Sequence, residues 1–90
     1  MLLHIPQTFS LILKSYGNET LLYHPASGDT LLLSPSAVPV ITRLQEGPLE
    51  KERLIEHVAE VLNYEVDESF LAHMEEVLSG LVKRDIVAAE

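Results

Sequence analysis

Four histidines, His4, His24, His57 and His73, are the side chains best placed by type to move a proton or hold a metal near neutral pH. Their spacing sets up neither. No H-x-H or H-E-x-x-H pair occurs, so no two imidazoles are fixed by sequence on one helix face to grip an ion. The chain has no Cys, and none of its serines sits in a G-x-S-x-G elbow. Gly17, Gly28, Gly47 and Gly80 are isolated, so no loop of successive glycines offers its N–H groups to a phosphate. Adjacent acids such as Glu75 and Glu76 point to different sides of a helix and read as a solvated face. The expectation is a protein with no catalytic residues, no metal site and no cofactor.

The composition narrows the alternatives. The chain has 90 residues, a net charge of -8 and 47% hydrophobic residues. That is the size of one domain with one small core, and far too apolar for a disordered chain. No apolar run approaches the ~18 residues needed to span a bilayer. The first residues, Met1 to Pro6, carry no basic stretch followed by an apolar core and do not read as a secretory signal. Without Cys there is no disulfide framework, which fits a cytoplasmic location. The charge is unevenly spread. Residues 1–45 carry two acids and two bases, whereas residues 46–90 carry twelve acids and four bases. An acidic surface opposes binding to nucleic acid or to anionic membranes.

Two halves of different chemistry imply two structural layers. The first half reads as strands. Phe9, Leu11 and Leu13 alternate with Ser10 and Lys14; Glu19–His24 is a second strand; Thr30–Leu33 is a third. Tyr16-Gly17-Asn18 and Pro25–Asp29 are the turns between them. The second half reads as helices. Ser36 is the expected N-cap of a helix carrying Ala37, Val40, Ile41 and Leu44 inward, with Pro39 in the first turn and Gly47-Pro48 as the stop. A second helix, from about Glu50 to Asn63, buries Leu54, Ile55, Val58, Val61 and Leu62. A third, from about Asp67 to Lys83, carries Phe70, Leu71, Met74, Val77, Leu78, Leu81 and Val82 at helical spacing. Asp85–Val87 folds back onto the core. The predicted class is α+β in the order β-β-β-α-α-α, a three-stranded antiparallel sheet covered by three helices, as one domain over residues 1–90.

A helix pair beside a small sheet is the winged-helix arrangement, so DNA binding is one reading. The exposed side of the third helix argues against it: Glu68, Glu75 and Glu76 stand where a reader of DNA needs cations. A polypeptide partner fits better. The third strand is short and has no Lys or Pro to block its edge, so another chain can pair with it, with the apolar third helix beside it.

The run Tyr23-His24-Pro25-Ala26-Ser27-Gly28-Asp29-Thr30-Leu31-Leu32-Leu33-Ser34-Pro35-Ser36-Ala37, followed by Ile41 and Leu44, then Pro48-Leu49 through Leu54 and Phe70 with Leu78-x-x-Leu81-Val82, resembles the PqqD family. The likeness is greatest to the branch described as HPr-rel-A system PqqD family peptide chaperones, and it covers about residues 18–87. The resemblance implies a winged-helix-like recognition element for ribosomally made, modified peptides. Such an element binds the leader of a precursor peptide as an extra strand and presents it to a modifying enzyme. It implies Thr30, Leu31, Leu32 and Leu33 on the strand, and Phe70, Met74, Val77 and Leu81 with a polar rim at His73 on the helix, as the leader contacts. It also implies association with a protein related to HPr kinase. Leu31 stands where that branch often has a polar residue, and Pro39 interrupts a helix that is usually rich in Ala. The expected function is thus non-catalytic binding of a leader peptide. The alternatives are an adaptor that forms a homodimer through the same edge, and an acidic winged-helix remnant with weak DNA binding.

Overall fold

The computed structural model describes residues 1–6, 11–25 and 28–90. It is an α+β fold of three helices and two three-stranded antiparallel sheets. The expected single sheet followed by three helices is therefore corrected. The chain begins with strand β1 (Leu2–His4), which belongs to a sheet that the alternation pattern did not reveal. Its partners come from far along the chain: β5 (Leu49–Glu50) lies on one side and β6 (Ala88–Ala89) on the other, with Leu3 opposite both Leu49 and Ala89. Strands of two or three residues carry no readable period, and long-range pairing holds them in place.

The meander forms the second sheet: β2 (Ile12–Tyr16), β3 (Glu19–His24) and β4 (Asp29–Leu33), in the order β2-β3-β4. Tyr16 pairs with Glu19 across Gly17-Asn18, and Gly17 supplies the positive φ of 62° that this tight reversal needs. The first strand starts later than expected. Phe9 and Ser10 of that strand, and Ala26 and Ser27 of the second turn, lie outside the described residues. The alternation itself holds: Leu11, Leu13, Leu22, Leu31 and Leu33 face inward, while Ile12, Lys14, Tyr23, Thr30 and Leu32 face out.

Helix α1 (Ala37–Leu44) buries Ala37, Pro39, Val40, Ile41 and Leu44. Pro39 is tolerated because it sits in the first turn, where its missing N–H has no intrahelical partner to lose. Helix α2 (Lys51–Leu62) buries Leu54, Ile55, Val58 and Ala59. Val61, expected in the core, is exposed instead, since it falls on the far edge of the apolar stripe. Helix α3 (Glu68–Lys83) is capped by the Asp67 carboxylate, which accepts from the Phe70 N–H at 2.8 Å. It buries Phe70, Met74, Leu78 and Leu81, while Leu71 and Val82 are exposed. Beyond α3 the chain turns at Asp85, and Ile86 and Val87 drop into the core as expected. One contiguous core thus runs from Leu3 through the inner face of the meander and all three helices to Val87. No helix of the described residues is long and apolar enough to cross a membrane.

Candidate functional site: the outer edge of β4 and the flank of α3

The site begins with main-chain groups. A two-residue hairpin turn is closed by a hydrogen-bonded pair, and such pairs alternate with non-bonded ones along an antiparallel ladder. Counting from Tyr16–Glu19, the main-chain groups of Glu19, Leu21 and Tyr23 face β2. Those of Thr20, Leu22 and His24 face β4, opposite Leu33, Leu31 and Asp29. The N–H and C=O groups of Thr30 and Leu32 therefore point away from β3. No backbone hydrogen bond from another described segment reaches them. β4 is an edge strand with outward donors and acceptors at two alternate residues.

Helix α3 runs beside this strand in the opposite direction. At its first turns, the Ser36 hydroxyl and His73 Nε2 are hydrogen-bonded at 2.7 Å. A pocket of about 480 Å³ opens there, lined among others by Ser34, Tyr64, Glu65, Ser69 and His73. At its far end, Arg84 and Ile86 meet Thr30 and Leu31 around a smaller pocket of about 210 Å³. The first turns of α3 thus lie near the end of β4, and the residues just beyond its last turn lie near the beginning of that strand.

Ser36 stands at the N-cap position of α1, as expected, but its side chain makes no capping bond there. Its hydroxyl serves α3 instead: it is one of the few buried polar side chains, and no α1 N–H uses it. The orphan donors of α1 go one turn earlier. The Ser34 carbonyl accepts from Ala37 and Val38, and the Ser34 hydroxyl also accepts from Ala37. On the other flank of α3, Glu75 is ion-paired with Lys51 at the start of α2. No group of three or more potential metal ligands occurs among the described residues.

The residues named from the sequence divide into two sets. Thr30 and Leu32 are exposed on the outer sheet face, Leu32 at 56%, and Leu31 is half-buried on the inner face. His73 is exposed beside the strand, and Val77 is half-buried on the same flank of α3. Thr30, Leu31 and Leu32 thus belong to the edge strand, and His73 and Val77 to one flank of α3. Leu33, Phe70, Met74 and Leu81 are largely buried, Met74 at 0% and Phe70 at 7%, although Phe70 forms part of the wall of the pocket beside His73 and Leu33 borders the pockets at the β4–α1 corner. The reason is geometric. The widest part of the α3 stripe is spent on covering the inner sheet face and α2, which leaves only its margins to the surface. Sequence reasoning read Ser36 only as a helix cap and did not connect it, or Arg84, with this edge, because no local pattern marks a side-chain partner on a distant helix.

The chain matches no protein-family model, no curated protein and no solved structure.

Proposed function

We propose that the chain is a non-catalytic peptide-binding domain that accepts a segment of another polypeptide as an added strand along the outer edge of β4. The observation that carries this reading is the pair of outward main-chain positions, Thr30 and Leu32, which receive no backbone hydrogen bond from another described segment. Added strands gain affinity from main-chain bonds and selectivity from side-chain pockets, and the pockets at both ends of the edge suit that division. The resemblance to the PqqD family gives the reading its biological content. The segment is the leader of a precursor peptide, handed in the cytoplasm to a modifying enzyme or to an HPr-kinase-related protein. The same reading treats the domain as winged-helix-like, with α2 and α3 as the helix pair joined over residues 63–67.

The test is a titration of isotope-labelled protein with leader peptides encoded near its gene. Binding tighter than about 100 μM with amide shifts in Thr30–Leu33 is expected; weaker binding, or shifts elsewhere only, would sink the proposal. Leu32→Pro sharpens it. Its N–H points outward, so proline removes a donor to the added strand without breaking the ladder to β3. The variant should fold and bind at least about tenfold more weakly.

A second reading is favoured by the outer face of the meander, where Ile12, Tyr23 and Leu32 are exposed together. Such a face suits a homodimer. Light scattering that shows a stable dimer, with no response to peptides, would replace the first reading by this one.

A further inference from the structure

The pocket of about 480 Å³ beside the first turns of α3 has the size of a small-molecule site. One side of it comes from the turn between α2 and α3, which main-chain bonds hold in place. Asn63 reverses the chain with a left-handed φ of 61°, and the Tyr64 N–H donates back to the Ala59 carbonyl at 2.8 Å. The Asp67 N–H donates to the Glu65 carbonyl at 3.1 Å, and the Asp67 carboxylate accepts from the Phe70 N–H. Tyr64, Glu65 and Asp67 thus reach the pocket wall from a backbone that is already fixed. A ligand there has little to order on binding.

The wall has an apolar part and a charged part. Pro35, Leu62, Tyr64 and Phe70 belong to the first. The two rings have centroids 5.9 Å apart and a tilt of 53°, so they do not stack face to face. Tyr64 stays 62% exposed, which leaves much of its ring to a ligand. The charged part has one sign. Glu65 and Asp67 belong to it, and among the described residues neither carboxylate is ion-paired. None of the six Lys and Arg residues lines the pocket. An anion would meet both carboxylates, and the Phe70 N–H at the start of α3 is already taken by Asp67. A bare metal ion fits no better, because Glu65, Asp67 and His73 form no group that could hold one. A cation carried on carbon suits both parts: the carboxylates meet its charge, and the aromatic and aliphatic wall takes its stem.

We infer that this pocket binds an organic cation, an ammonium or guanidinium group on an apolar stem. Glu65 and Asp67 are its counter-ions, and Tyr64 supplies a ring against which the cation rests. The twelve acids of residues 46–90 raise the local concentration of such a ligand before it docks. A free amine and a basic side chain of a polypeptide carry the same group. The inference therefore stands whether or not a strand adds to β4, and experiment separates the two sources.

The test titrates the isotope-labelled full chain with probes of similar shape and different charge: butylguanidinium, neutral butylurea and anionic pentanoate. Butylguanidinium should shift the amides of residues 64–70 with a Kd below about 5 mM. Butylurea should bind at least about tenfold more weakly, and pentanoate should leave these amides unmoved. Glu65→Gln combined with Asp67→Asn removes both charges, while asparagine keeps the helix cap. This variant should melt within about 4 °C of the wild type. It should bind butylguanidinium at least about tenfold more weakly and butylurea unchanged. Tyr64→Leu should weaken butylguanidinium by about two- to fivefold. Equal binding of butylguanidinium and butylurea, undiminished binding to the doubly substituted chain, or shifts confined to the acids of α2 would overturn the inference. Each of these leaves the peptide-binding reading standing. A blocked pentapeptide of Val and Thr around a central Arg then assigns the source. Binding at least about tenfold tighter than butylguanidinium, with added shifts in Thr30–Leu33, makes the cation a peptide side chain. No gain and no shift on that strand makes it a free amine, and counts against strand addition alone.

Discussion

At the scale of single residues, the structure separates side chains that periodicity treats alike. Met74 and Val61 both sit on apolar helical stripes, yet one is fully enclosed and the other is exposed. Met74→Ala should therefore lose about 2–5 kcal/mol of stability, the transfer term plus a cavity. Val61→Ala should stay within about 0.5 kcal/mol. Urea denaturation of the two variants measures both, and equal losses would place Val61 in the core. Leu32 and Leu33 make the same contrast on a strand. They are adjacent in sequence, but the pleat sends one outward beside Leu21 and Tyr23 and the other into the core with Leu22. Among the candidate leader contacts, Met74 and Leu81 are enclosed in the core, whereas Phe70 and Leu33, though largely buried, still form part of pocket walls.

Among the elements, the two serines at the β4–α1 corner have divided roles. Ser34 satisfies the first N–H groups of α1, and Ser36 is bonded to His73 of α3. Ser36→Ala should cost about 1 kcal/mol and alter the His73 ring resonances. The amides of Ala37 and Val38 should keep their exchange protection, because Ser34 holds them. Loss of that protection would return Ser36 to the capping role. The start of α3 depends on a cap in the ordinary way: Asp67→Ala should remove about 1 kcal/mol, read from the same urea transitions. Together the Asp67 cap, the His73–Ser36 bond and the Lys51–Glu75 ion pair set where α3 lies against β4 and α2. The width of the candidate groove follows from that placement.

For the whole molecule, the charge has a place as well as a size. Its excess of acids lies on residues 46–90, which build α2, α3 and β6, while the meander that holds the candidate edge is close to neutral. Self-repulsion among these acids should be relieved by salt. Raising sodium chloride from about 10 mM to about 200 mM should raise the melting temperature. A flat or falling trend in calorimetry would mean that the exposed acids are already compensated.

Much of this fold was legible in the sequence because local patterns carry it. The strands Glu19–His24 and Thr30–Leu33 and the stripes of α1 and α3 are set by alternation, by helical spacing and by their flanking turns, all of which act over a few residues. The same reading exposed the unblocked edge, since Lys and Pro are absent from Thr30–Leu33 itself. It could not foresee the sheet of β1, β5 and β6. Leu3 finds Leu49 and Ala89 only when the whole chain is folded, and strands so short have no pattern of their own. Nor could it apportion α3, whose apolar residues exceed one narrow stripe. Which of them are core and which are margin depends on how β4 and α2 pack against the helix. The sequence alone determined that this is a small acidic α+β domain with an open strand edge and no motif for chemistry. Tertiary packing alone decided which side chains of the strand and of α3 stay exposed, because burial is a property of neighbours distant in sequence.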